Sequence, residues 1–305
     1  MSLLLLGSVI AFLAFPGLAH RWCRRLIPST WARLSTVSLI VGLAGLEVSL
    51  ILIGVPSALN LFHVPELVLA CRRLFGFPAP GGGLVGWSAL ALASVLPIAL
   101  TVAWRRSAAS AAGMQVDAWL GDHSARGSVT VVMLPTDSVV AYSVARPTPQ
   151  VVVSRGLSDQ LDPGEVEAVV RHELSHLEHR HPSLLIAVNA IEQVLPVLRR
   201  STRSLRHALE RWADEDAAAS GPRARAAVHD ALERVAASLA VDPAVAAFAN
   251  VETVGDRLDA LAEPSVAAFS VPIASRGATA AVLALLGLWM VQAFEVVSII
   301  GSCLK

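Results

Sequence analysis

The run Asp162-Pro163-Gly164-Glu165-Val166-Glu167-Ala168-Val169-Val170-Arg171-His172-Glu173-Leu174-Ser175-His176-Leu177-Glu178-His179-Arg180-His181-Pro182 decides the fold of the soluble part of this chain. Asp162 suits a helix N-cap, Pro163 suits the first helical position, and Glu165 completes the spacing of a capping box. Pro182 disfavours helical geometry at His181, so the helix is expected to stop there. At ~100° per residue, Val166, Val169, Val170, Leu174 and Leu177 share an apolar face. His172, His176 and His179 lie along its border.

His172 and His176 stand one turn apart on the same face, the spacing at which two imidazoles bind one Zn²⁺. Glu173 is rotated ~100° from His172, so it need not crowd the metal and can reach a metal-bound water as general base. At the His and Glu frequencies of this chain, His-Glu-x-x-His arises by chance about once in a hundred sequences of its length. A catalytic zinc takes three protein ligands and keeps one open position. Downstream, Glu210-Arg211-Trp212-Ala213-Asp214 offers two acids at i and i+4. Glu210 is the expected third ligand. Asp214 is expected to accept a proton from a ligand histidine and so support the metal from the second shell. Glu215 and Asp216 are turned ~140° and ~120° from Glu210, and His179 lies ~10.5 Å along the helix from His172, so none of these fits as the ligand. Leu209 and Trp212 are expected to anchor the acid-bearing helix, with Ala213 allowing close approach to the motif helix. A third histidine at 182 would be needed for a longer motif, and Pro182 stands there. His179 and His181 read as supporting or surface residues, and His207 remains open. Tyr142, the single tyrosine, reads as a strand residue rather than an oxyanion donor.

Outward from this core, the chain becomes apolar. Of its 305 residues 54% are hydrophobic and 16% charged, against about 25% charged in a soluble domain. Mean hydropathy is +0.60. The net charge of zero argues against direct nucleic-acid binding. Cys23, Cys71 and Cys303 form no CxxC pair, which excludes a disulfide scaffold and a cysteine-ligated zinc site. Four stretches are expected to span a bilayer: 3–19, 36–59, 84–103 and 279–301. Arg21, Arg24 and Arg25 follow the first stretch instead of preceding it, so it reads as a retained anchor and not a signal peptide. Arginines near the inner ends place the N-terminus outside and residues 105–278 in the cytoplasm. Cys71 and Cys303 then share the outer side, and Glu47 and Glu295 fall within spans. Three Val-rich runs, 128–134, 139–144 and 150–153, are expected to form a small hairpin or sheet. Residues 107–128 read as a linker or amphipathic helix. Helices are expected over 184–198, 205–219 and 224–239, the first being a core or re-entrant helix.

The expected fold is therefore mainly α, a polytopic membrane protein of about four transmembrane helices with a helical HExxH zinc-protease domain and a small β-hairpin or sheet. Its expected divisions are a membrane domain over 1–106, a cytoplasm-facing protease domain over 107–278 and a last transmembrane helix over 279–305.

HELSH on a helix, a hydrophobic helix and then ERWAD before an Ala-rich helix resemble the BlaR/MecR-type membrane metalloproteases, relatives of the HtpX and CAAX-prenyl proteases. The resemblance extends upstream through AYSVARPTPQVVVSRGL and over the order of spans. It implies a gluzincin-like endopeptidase holding one Zn²⁺ per chain, with His172, His176 and Glu210 as ligands and Glu173 as base. The chain is similar to short members without an extracytoplasmic sensor domain. Such members imply residence in the cytoplasmic membrane and cleavage of a protein or peptide substrate, such as a BlaI-type transcriptional repressor. HtpX-like quality control of membrane proteins is the alternative enzyme, and a signalling or scaffold protein with a residual metal site is the alternative outside enzymes. Oligomeric state is not legible.

Overall fold

A computed structural model describes residues 2–19, 27–61, 83–114, 122–145, 147–241 and 254–263, with isolated positions at 280, 283, 287 and 290. Three apolar helices come first: α1 (Ser2–Leu18), α2 (Pro28–Leu61) and α3 (Gly83–Ala112). Within them, Pro28–Val55 and Gly83–Ala112 are long and apolar enough to cross a membrane, and Gly7–Leu18 is a shorter apolar helix. These two helices suggest membrane association. Of the expected fourth span only positions 280, 283, 287 and 290 are described; Gln292 and Glu295 lie outside the described residues, as do all three cysteines. Small residues bring the helices together. A Cβ on Gly42 would lie 2.6 Å from the Leu13 side chain, and one on Gly86 would lie 1.9 Å from Ser57 Oγ.

The sheet has four strands: β1 (Asp122–Arg126), β2 (Val129–Leu134), β3 (Ala141–Val144) and β4 (Gln150–Ser154), in the order β1-β2-β4-β3. The β2–β4 pair is parallel and the two outer pairs are antiparallel. All five residues of β4 are buried, as a central strand requires. Val151 and Val153 face one core and Val152 the other, following the period of two. Strand β1 lies where a linker or helix was expected. Its sequence Asp-His-Ser-Ala-Arg has no apolar alternation because every residue is exposed on the sheet edge. Ladder hydrogen bonds to β2, and not burial, hold it in place.

Ser154 ends β4 and caps α4 (Arg155–Gln160), its hydroxyl accepting from the Leu157 and Val140 amides. The motif helix is α5 (Pro163–Glu178), and its Asp162/Glu165 capping box is present. It stops at Glu178. Arg180 takes φ 58°, and α6 (His181–Val194) starts at His181 with Pro182 in its first turn. Pro182 thus begins the next helix in the position where its missing N–H costs least. After a 3₁₀ turn at Pro196–Leu198 come α7 (Arg199–Ala217), α8 (Pro222–Val241) and α9 (Val254–Ala262).

Helix α7 organises the molecule. One face seats Leu205, Ala208 and Leu209 in a core with Phe12 of α1, Trp31, Ala32, Leu34 and Leu39 of α2, and Val188 of α6. Trp31 Nε1 donates to Ser204 Oγ at 3.1 Å, and Ser201 donates to the Leu13 carbonyl at 2.6 Å. Its other face packs on α5. Ala217 and Ala218 meet Ala168, Val228 and Leu261 in a small-residue cluster that docks α8 and α9. Arg225 closes this corner, pairing with Glu215 and donating to the carbonyls of Ala260 and Glu263 at the end of α9.

Candidate metal centre

The seam between α5 and α7 gathers the residues singled out by spacing. His172 Nε2 and His176 Nε2 lie 3.2 Å apart. Glu210 Oε2 is 3.5 Å from His172 Nε2, and Glu210 Oε1 is 3.7 Å from His176 Nε2. Ligand-type atoms of all three residues fall within 4.8 Å of one another. Asp214, one turn beyond Glu210, places Oδ1 3.0 Å from His172 Nδ1. Ala213, just before Asp214 on α7, is fully buried.

The competing candidates point elsewhere. Glu215 pairs with Arg225. Asp216 Oδ2 accepts from Ser175 Oγ at 2.7 Å and lies 2.8 Å from His179 Nε2. His179 stacks on Trp212 with centroids 4.3 Å apart. His207 is buried on α7 outside the cluster. Tyr142 is in β3, where its hydroxyl donates to the Met114 carbonyl at 3.1 Å, and partial burial raises its pKa. Glu173 is half-buried and makes no hydrogen bond or ion pair among the described residues, so its carboxylate is available.

One contributor was not foreseen, and a second was read only as a supporting or surface residue. Arg257, from α9, donates to both Asp214 oxygens at 2.7 Å and reaches Glu210 Oε2 at 3.1 Å. It is one of many arginines in the sequence, and nothing in its local pattern marks it out. His181 is fully buried, with Nδ1 2.9 Å from His176 Nδ1. The reading that Pro182 ends the motif helix at His181 placed this residue at a helix end; the turn at Arg180 instead folds it back beneath His176.

Electrostatics follow from these contacts. Burial would raise Glu210, but Arg257 and the two imidazoles hold it well below the usual carboxylate range. Asp214 is depressed in the same way, with Arg257 again outweighing burial. Burial would discharge Arg257, but Asp214 and Glu210 fix it as a cation. Burial also favours neutral His172, yet its bonds to Asp214 and Glu210 prevail and raise it to about 10. His176 is pushed down by burial, and His181 falls to about 3 for the same reason, helped by its histidine neighbours.

The donor set fits a divalent metal. When neutral His172 gives its Nδ1 proton to Asp214, its Nε2 carries a lone pair facing His176 Nε2 and the Glu210 carboxylate. Three acceptor groups then converge, a set that a shared cation can bridge. Nitrogen and oxygen donors in a two-His, one-Glu set with a free carboxylate adjacent are those of catalytic zinc sites in metallopeptidases.

Residues 114–232 match Peptidase family M48, which supports a metallopeptidase. The matched stretch holds the motif helix and α7 but stops short of Arg257. Searches of curated proteins and of solved structures return no match.

Proposed function

We propose that this chain is a membrane-associated zinc endopeptidase in which His172, His176 and Glu210 hold the metal and Glu173 is the general base. The convergence of the two Nε2 atoms with Glu210, backed by Asp214 on His172, is the observation that carries this reading. Bound zinc would polarise the scissile carbonyl and lower the pKa of a water in its open position. Glu173, which makes no hydrogen bond or ion pair among the described residues, takes a proton from the attacking water and delivers it to the leaving amine. Asp214 holds the His172 tautomer with Nε2 turned inward. Arg257 fixes the Asp214 and Glu210 carboxylates so that neither needs to reorganise.

The arginine distribution supports an outside N-terminus and a cytoplasmic face for residues 105–278. With that topology the substrate is a cytoplasmic protein, and the resemblance to BlaR/MecR-type proteases favours a BlaI-type repressor over HtpX-like clearance of membrane proteins. The deciding experiment compares wild type with Glu173→Gln. The variant should retain near-stoichiometric zinc and lose proteolysis by about 10²–10⁴-fold. A variant that still cleaves like wild type sinks the catalytic assignment. Wild type that holds zinc and cleaves nothing supports the scaffold alternative instead.

A further inference from the structure

We propose that His181 is a positioning residue for the metal centre: its Nδ1 accepts the His176 Nδ1–H hydrogen bond and so turns His176 Nε2 toward the metal. The inference rests on His176 being a zinc ligand, and it assigns to the second imidazole the kind of support that Asp214 gives the first.

The 2.9 Å separation of the two Nδ1 atoms requires one shared proton, with one ring donating and the other accepting. A neutral His176 with a lone pair on Nε2 keeps its proton on Nδ1. His176 is then the donor, and His181 must present a lone pair at Nδ1 and carry its own proton on Nε2. That Nε2 is buried without a hydrogen-bond partner among the described residues, and the His181 ring lies 5.0 Å from the Trp212 ring, centroid to centroid. A buried polar atom left unsatisfied is costly, so space filling alone is a poor account of a histidine here. Placement is backbone-driven. Arg180 adopts φ 58°, a left-handed conformation unusual outside glycine, and the resulting reversal starts α6 at His181. The ring meets His176 edge-on at 5.0 Å and lies 5.7 Å from His179. Ligand histidines almost always donate their second N–H to an acceptor, most often a carboxylate, carbonyl or water. Here the acceptor is an imidazole.

The test uses the full-length protein in detergent or lipid and measures zinc affinity by chelator competition, together with the visible spectrum of the Co²⁺-loaded protein. His181→Leu fills the volume but cannot accept a hydrogen bond, and should weaken zinc by about 10–100-fold. In His181→Asn the amide oxygen comes close to the Nδ1 position, so it should restore most of the affinity and the wild-type Co²⁺ spectrum. In His181→Gln the oxygen lies nearer the Nε2 position and should not. The Asn and Gln pair keeps the test decisive if His181→Leu fails to fold. Equal affinity of His181→Leu and wild type overturns the proposal, as does an Asn variant no better than Gln. Wild type that binds no zinc overturns the metal reading and this inference together, whereas normal wild-type binding with an unaffected Leu variant removes this one alone.

Discussion

Helices α5 and α7 exchange two histidine–aspartate contacts, and the two are chemically alike but placed in different surroundings. His172–Asp214 is 3.0 Å long, with side chains 13% and 4% exposed. His179–Asp216 is 2.8 Å long, with side chains 32% and 38% exposed. Distance does not distinguish them. The inner pair is closed over by α9, whose Arg257 neutralises Asp214 and Glu210. The outer pair has Ser175 and the face of Trp212, which Arg33 of α2 overlies at 5.1 Å. The inner aspartate is thus a buried charge with a counter-ion that it shares with Glu210, while the outer one leans partly on water. The contrast teaches that a His–Asp contact acquires a role from the third group that fixes it.

Arg257→Met should have the largest effect. It leaves Glu210 and Asp214 buried without their cation, so the metal-free protein should lose about 3–5 kcal/mol. Zinc should restore part of that loss, visible as a larger zinc-induced rise in melting temperature than in wild type. Equal melting temperatures for variant and wild type, both metal-free, would show that Arg257 is a bystander.

Asp214→Ala comes next. Zinc affinity should fall about 10–100-fold, because the ligand remains while its orienting acceptor is gone. Glu210→Ala, lacking a ligand outright, should lose tight zinc binding altogether, and Glu215→Ala should bind like wild type. Equal zinc retention by the Glu210 and Glu215 variants would break the assignment of the third ligand.

Asp216→Ala sharpens the comparison from the outer side. Chelator competition should find its zinc affinity unchanged, and stability should change by about 1 kcal/mol or less, as for other part-exposed pairs. A zinc defect as large as that of Asp214→Ala would erase the distinction between the two pairs.

The smallest effect belongs to a bridge on the far side of α5, where Arg126 of β1 and Arg171 both hold Glu167. The hydrogen bond from Arg126 is the main reason that the Glu167 pKa drops to about 2. A depressed carboxylate pKa stabilises the fold above its unfolded value near 4.5 and loses that contribution as pH falls toward 2. Because the pair is more than a third exposed, the contribution is at most about 1 kcal/mol. The difference in denaturation midpoint between wild type and Glu167→Gln should therefore be small at pH 7 and vanish by about pH 2.

The zinc-type cluster was legible because helical periodicity turns sequence spacing directly into geometry. His172 with His176, and Glu210 with Asp214, each needed only one helix to be placed on a common face. The capping box of Asp162 and Glu165 is local in the same sense. Arg257 was not legible because its partners lie 43 and 47 positions earlier, and only the docking of α9 on Ala217 and Val228 brings it to them. His181 was hidden by a single backbone torsion at Arg180. Strand β1 escaped because an exposed edge strand needs no apolar pattern, only a neighbour to pair with. Parallel pairing of β2 with β4, and not a simple hairpin, likewise depends on contacts between separated segments.

The two-faced character of α7 has a practical side for anyone handling this protein. The turns that present Glu210 and Asp214 to the histidines also bury Leu205, Ala208 and Leu209 against Trp31 and Phe12. Trimming the chain to its polar half would uncover that apolar stripe and remove the footing of the acid-bearing helix. The amphiphile chosen for purification thus becomes part of the assay. One that splays α1 from α2 should weaken zinc retention with no change in sequence, while one that keeps them packed should hold the acid pair in place against the imidazoles.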